Sequence, residues 1–226
     1  MAVDEQLLAD ADRKGARFLR LYRWDPPTLS FGRNEPTLDL YDRDAIERRG
    51  IAVVRRPTGG KAVWHEHELT YAVAAPISAF GSLRDAYCAI HVRLAEALQS
   101  LGVEAVLARA RPPVGPSAHP TACFDAPAGG EILAQGKKLV GSAQVRRART
   151  FLQHGSILLD GSQDIVNAVS RQPSAISGGT TLAAVLGRAV SFAELSAAIM
   201  AAWREPLIPS ARPPVSPPAR PQVWRR

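Results

Sequence analysis

A chain of 226 residues with 46% apolar side chains is long enough for one domain with a full core, and none of its apolar runs is long enough to cross a membrane. Two cysteines, Cys88 and Cys123, without a Cys-x-x-Cys pair or a signal-peptide pattern, argue against a disulfide framework and point to the cytoplasm. The net charge of +7 is weak evidence for nucleic-acid binding, because residues 206–226 hold Arg212, Arg220, Arg225 and Arg226, many prolines and no acid. That stretch is expected to be a disordered Pro/Arg tail on a domain spanning 1–205.

In chain order, residues 2–11 form a short amphipathic helix with Val3, Leu7 and Leu8 on one face. Residues 18–22 alternate like a strand, and 24–32 read as a proline turn followed by a short strand ending at Gly32. Residues 39–49 are expected as a polar helix closed by Gly50. The apolar run 51–54 reads as a buried strand leading into Arg55-Arg-Pro-Thr-Gly-Gly60. The chain then returns as a strand in which Leu69, Tyr71 and Val73 alternate with Thr70, Ala72 and Ala74, until Pro76 stops it. Such a glycine turn with two cations at its mouth is either a floor for an anionic or carbonyl-bearing ligand or a surface hairpin with solvated arginines.

Residues 82–101 are the clearest helix, with Leu83, Tyr87, Ile90, Leu94, Leu98 and Leu101 as its stripe and Cys88 beside it as a small buried hydrophobe. A strand at 103–107 and a proline-rich loop at 109–120 follow. Cys123 lies in a stretch of no regular period, and 131–140 read as a hairpin turning at Gln135-Gly136. Strands are expected at 141–146 and at 151–159, the latter centred on His154. Helices follow at 162–171 and at 181–186, ended by Gly187. A capping box at Ser191 and Glu194 opens the last helix, which runs to Trp203. Strands grouped ahead of helices predict an α+β fold with a mixed or antiparallel sheet flanked by helices, not a doubly wound parallel sheet. No phosphate or dinucleotide loop is present, and no Cys/His set has metal-ligand spacing. His65 and His67 are expected on opposite faces of their strand, unable to share a metal.

Two stretches carry candidate chemistry: the arginine–glycine turn, and Cys123 with the hairpin that holds Lys138. A nucleophilic cysteine needs a nearby cation to ionise it, and Lys138 follows closely enough in the chain to supply one. Taken singly, Cys123 reads as an inert thiol and Lys138 as a solvated strand-edge lysine.

The motifs Met-Ala-Val-Asp-Glu5, Trp24-Asp-Pro-Pro-Thr-Leu-Ser30, Arg55-Arg-Pro-Thr-Gly-Gly60 and Glu68-Leu-Thr-Tyr71 extend this picture. With Gly136-Lys-Lys-Leu-Val-Gly-Ser-Ala-Gln144 and His154-Gly-Ser-Ile-Leu158, they resemble the lipoate-protein ligase A/octanoyltransferase family. The resemblance implies the biotin/lipoate-protein-ligase catalytic fold over residues 1 to about 203. Cys-Phe-Asp-Ala-Pro127 ahead of Glu131, and Lys61 in place of a third glycine, resemble the cysteine transferases rather than the ATP-dependent ligases. The resemblance then implies octanoyl transfer from acyl carrier protein to a lysine of lipoyl domains in 2-oxoacid dehydrogenases and the glycine cleavage H protein. No cofactor is expected, ATP being needed only by a ligase. Cys123 becomes the nucleophile and Lys138 its electrostatic partner. Arg56, Gly59, Gly60, Val63 and His65 line the acyl or carrier-arm site, and Gly141 and Ser142 offer donors near the carbonyl. His154 is an orienting group or a core histidine. A ligase, a lipoyl amidotransferase and a non-catalytic basic nucleic-acid-binding module remain the alternatives.

Overall fold

The computed structural model describes residues 1–108, 130–172 and 179–203. The 109–120 loop, Cys123 and the 206–226 tail therefore lie outside the described residues. The chain opens with α1 (Ala2–Lys14), which runs past the expected Ala11 because Arg13 and Lys14 suit the negative end of the helix and Gly15, at φ 65, stops it. Next come β1 (Phe18–Tyr22), β2 (Thr28–Phe31), α2 (Thr37–Leu40), α3 (Arg43–Arg48), β3 (Ala52–Arg55), β4 (Val63–His65) and β5 (Glu68–Pro76). After these follow α4 (Leu83–Ser100), β6 (Ala105–Leu107), β7 (Ile132–Ala134), β8 (Lys137–Lys138), β9 (Val140–Arg147) and β10 (Thr150–Leu158). Three short helices, α5 (Asp164–Ala168), α6 (Leu182–Leu186) and α7 (Phe192–Ala202), complete the described chain.

The main sheet has the order β1-β5-β10-β9 and is antiparallel throughout. One face presents Leu69, Tyr71, Val73 and Ala75 to the Ile90, Leu94 and Leu98 stripe of α4. The other presents Ala72, Ala74, Val145 and Leu152 to Leu8 and Ala11 of α1. Both faces of β5 are covered, so its small and large residues alternate without any position reaching solvent before Pro76. The α4 stripe forms as expected, but Cys88 is exposed rather than buried. It stands one turn from Arg84 and one from Val92, on the solvent side, while His91 takes the buried place.

The turn at 55–60 does not join neighbouring strands. A second sheet has the order β3-β2-β4, so β2 lies between them, parallel to β3 and antiparallel to β4. β3 is an edge strand, and Val53 is 50% exposed where a buried strand was expected. The polar helix expected at 39–49 breaks at Tyr41. That ring packs on Phe31 at 4.9 Å, its hydroxyl donates to Glu35 at 2.7 Å, and its backbone bridges to Ser170. The 162–171 helix is cut to α5 by the same contact, since the Val169 carbonyl accepts from Asp42 N. The capping box of α7 is half formed: Ser191 accepts from Glu194 N at 3.1 Å, while the Glu194 carboxylate turns to Arg188 at 2.7 Å. His65 is buried and His67 exposed, but not through strand alternation, which places residues two apart on one face. They part because β4 ends at His65.

A Cβ on Gly32 would stand 1.8 Å from the Gly60 carbonyl oxygen. Gly32→Ala must push the glycine turn off β2, and a urea melt is expected to show a loss of about 2–3 kcal/mol. A melt unchanged from wild type would mean the turn has room that this packing denies it.

Candidate active site

The chain crosses between sheets where a hairpin meets the main sheet. Gln135 at φ 51 and Gly136 at φ 73 make the tight turn between β7 and β8. The pairing ends at Lys138, and Leu139 leads into β9 of the main sheet. This turn holds Lys138 inside the protein, 3% exposed, with its ammonium 2.6 Å from the Glu131 carboxylate. Gly130 N donates to Ala108 O at 2.8 Å, so the residues flanking 109–129 meet one residue before Glu131.

Beside this, β1, β9 and β10 face the second sheet across a narrow pocket of about 30 Å³. Among the expected site residues, Arg56, Val63, His65, Gly141, Ser142 and His154 line it, together with Tyr22, Trp24 and Thr70. Gly59 and Gly60 instead face a second cavity, with Lys61 and Glu35. The Arg56 guanidinium turns them outward by taking the carbonyls of Gly59 at 3.3 Å and Lys61 at 2.8 Å from inside the loop. It also donates to Ser30 O at 2.8 Å and Ser30 Oγ at 2.6 Å, which ties the turn to β2.

Two carboxylate–imidazole–hydroxyl chains support the pocket walls. In the first, His65 Nδ1 lies 2.8 Å from Glu68 Oε1 and its Nε2 2.5 Å from Ser30 Oγ. A carboxylate only accepts, which places an imidazole hydrogen on Nδ1. Thr70 and Ser156 also donate to Glu68, and Trp24 stacks on His65 at 4.5 Å while its indole N–H reaches Thr70 Oγ1 at 2.8 Å. In the second, His154 bonds Asp4 at 3.2 Å and Thr58 at 2.6 Å. Burial pushes His154 below its ordinary 6.5 more than its bond to Asp4 lifts it, so the ring is neutral. Burial works against ionising Asp4, but the hydrogen bonds from His154, Arg20 and Tyr22 outweigh it and hold the carboxyl below 3.8. Burial, then the Asp4 charge, pushes Tyr22 up. Ser30 and Thr58 are fully buried, so neither hydroxyl is offered as a nucleophile, and the two chains fix the side chains that face the pocket.

Sequence reasoning missed Asp4, Ser30, Thr58 and Glu68 as parts of this site, and it missed His91. The His91 ring is fully buried on α4, with Nε2 2.8 Å from Ser142 Oγ. Ser142 in turn meets the Tyr71 hydroxyl at 2.7 Å, which accepts from Gln153 at 3.0 Å. Burial, reinforced by the nearby Lys138 charge and opposed by the Gly130 backbone, lowers His91 to about 4. A polar residue on an apolar helix stripe was the available signal. Among the described residues, no group of His, Cys, Asp and Glu is arranged to hold a metal ion.

The same arrangement of elements occurs in solved lipoate-protein ligases. A crystal structure of lipoate-protein ligase A bound with ATP superposes with a TM-score of 0.71, covering 89% of this chain and 76% of that one. At 22% identity this likeness is one of fold. The model of the lipoyl protein ligase A/B catalytic domain matches residues 1–204, and the chain belongs to that family. Octanoyltransferase LipM of Kyrpidia tusciae is 44% identical over 183 residues, covering 77% of this chain and 66% of its own length. Octanoyltransferase LipM of Moorella thermoacetica is 42% identical over 180 residues, covering 77% and 65% respectively. The chain thus spans just under two thirds of the length of these two relatives.

Proposed function

We propose that this protein moves an octanoyl group from acyl carrier protein to the lysine of a lipoyl domain through a thioester on Cys123, without ATP, in the cytoplasm. The observation that carries the reading is the buried Lys138–Glu131 pair, whose Glu131 directly follows Gly130, the first described residue after the Cys123 stretch. The names of the relatives above support it, as does a narrow pocket bounded by Trp24, Val63 and Ser142. The Cys123 thiolate attacks the carbonyl carbon of the incoming thioester, and the carrier leaves as its thiol after taking up a proton. The neutral amine of the lipoyl-domain lysine then attacks the Cys123 thioester, forms the amide, gives up a proton and returns the thiolate. Gly141 and Ser142 are the candidate donors to the oxyanion of both tetrahedral states.

Incubation with octanoyl-acyl carrier protein and no nucleotide is the direct test. Mass spectrometry is expected to find one octanoyl adduct on Cys123, discharged by an apo-lipoyl domain and lacking in Cys123→Ala. Acylation that appears only when ATP and free octanoate are supplied would assign the chain to the ligases instead.

A further inference from the structure

Register across the main sheet sets Gly141 beside Ser156, Ser156 beside Thr70 and Thr70 beside Tyr22. All of them line the pocket, in one row that runs from β9 to β1. Tyr71 faces α4, so Thr70, its neighbour in the chain, puts this row on the opposite face. Three strand spacings of about 4.8 Å make the row about 14 Å long, enough for an extended eight-carbon chain laid across the strands.

Most side chains along this row and beside it are polar in type, yet their hydrogens are committed within the wall. Thr70 Oγ1 and Ser156 Oγ both donate to Glu68 Oε1, Ser156 at 3.0 Å, and His65 Nδ1 lies 2.8 Å from the same oxygen. The Trp24 indole N–H ends on Thr70 Oγ1 at 2.8 Å, and the Tyr22 hydroxyl ends on Asp4 at 3.0 Å. Arg56 turns to Ser30 and to the carbonyls of Gly59 and Lys61. Glu68 itself is 2% exposed and stands behind the wall, two residues before Thr70 on β5. One carboxylate oxygen thus collects the hydrogens of three wall residues, and through Thr70 it also holds Trp24. A guest over Thr70 meets the carbon atoms of these side chains and donors that are already used.

We propose that Glu68 is a specificity-determining residue: by drawing the hydrogens of Thr70, Ser156 and His65 behind the wall, it leaves a pocket that takes an unsubstituted alkyl chain and refuses one ending in a hydroxyl group. This rests on the transfer reading above. Entered from β9, the strand that Lys138 leads into, the chain lies along the row and its tail ends over Thr70 and Trp24. A terminal hydroxyl there would be buried without a partner.

The test compares octanoyl and 8-hydroxyoctanoyl thioesters of acyl carrier protein as donors to wild type, Glu68→Leu and Glu68→Gln. Wild type is expected to favour octanoyl about a hundredfold in kcat/KM. Glu68→Leu returns three donors to the pocket, so the preference should fall by about tenfold or more, chiefly through a lower KM for the hydroxylated donor. Glu68→Gln keeps an acceptor at that place and should retain most of the preference. A wild type that loads both donors alike, or a Glu68→Leu protein that slows both by one factor, would overturn the assignment, the latter making the carboxylate a structural group. Thr70→Val serves if Glu68→Leu does not fold. It frees the Trp24 N–H, and its preference should drop several-fold, whereas an unchanged preference would count against the wall. Thermal melts with free octanoate or 8-hydroxyoctanoate read binding without turnover. Octanoate should raise the Tm of wild type more than the hydroxy acid does, and equal shifts would overturn the selectivity. A wild type that loads neither thioester would sink the transfer reading, and the melts would still decide the role of the wall.

Discussion

Acidification from pH 6.5 to about pH 4 is expected to remove about 3 kcal/mol of folding stability through His91 alone. The folded pKa, lowered to about 4, lies below the ordinary 6.5, so across that interval the unfolded chain takes up a proton that the native state refuses. The contribution is fully present above 6.5 and fades as pH falls toward the folded value, at about 1.4 kcal/mol per pH unit. Burial moves His154 in the same direction, so it steepens the same slope. Asp4, held below 3.8, acts lower on the scale: its contribution is present above that value and is lost as pH falls through its folded pKa. Urea melts of wild type and His91→Gln across the interval separate the parts. Glutamine keeps a polar atom within reach of Ser142 and cannot titrate there. The variant should show a markedly flatter dependence, and an identical slope would mean that His91 does not carry the effect.

Replacing Lys138 by methionine should cost about 3–5 kcal/mol, because it leaves the Glu131 carboxylate buried without the ammonium 2.6 Å away, and under the proposed mechanism it should abolish most transfer. Stability and chemistry can be pulled apart here. In Lys138→Met/Glu131→Leu neither charge remains, so most of the lost stability should return, while octanoyl transfer should not. If Lys138 keeps Cys123 ionised, the acylation rate of the double variant should recover as pH is raised toward the ordinary thiol range near 8.5. A double variant that is stable and fully active at neutral pH would show that the ammonium serves the fold alone.

The legible parts of the fold were those with local causes. The α4 stripe follows from spacing, and the hairpin at 131–140 from a turn whose two residues adopt positive φ. The parts that were not legible have distant causes. Tyr41 breaks a helix because Phe31, Glu35 and Ser170 converge on it, and β2 enters between β3 and β4 from earlier in the chain. The site divides the same way. Arg56 and His65 stand out in their own motifs, whereas Asp4 looks like an ordinary first-turn acid and gains its meaning only from Arg20, Tyr22 and His154. His91 was hidden by its stripe: the spacing that marks a core position carries no information about a polar chain that runs through Ser142 and Tyr71 to Gln153.

The pocket also lies where two separate apolar cores come together. Leu29, Phe31, Tyr41 and Ile46 form the core of the small sheet, distinct from the one beneath α4. Across the gap at the pocket, Thr58 bonds His154 and His65 bonds Glu68, while Val63 packs on Leu158. A seam closed by a few hydrogen bonds and one small apolar pair is the weakest plane in the molecule, so a fatty chain entering it would work against those contacts and not against the interior of either half.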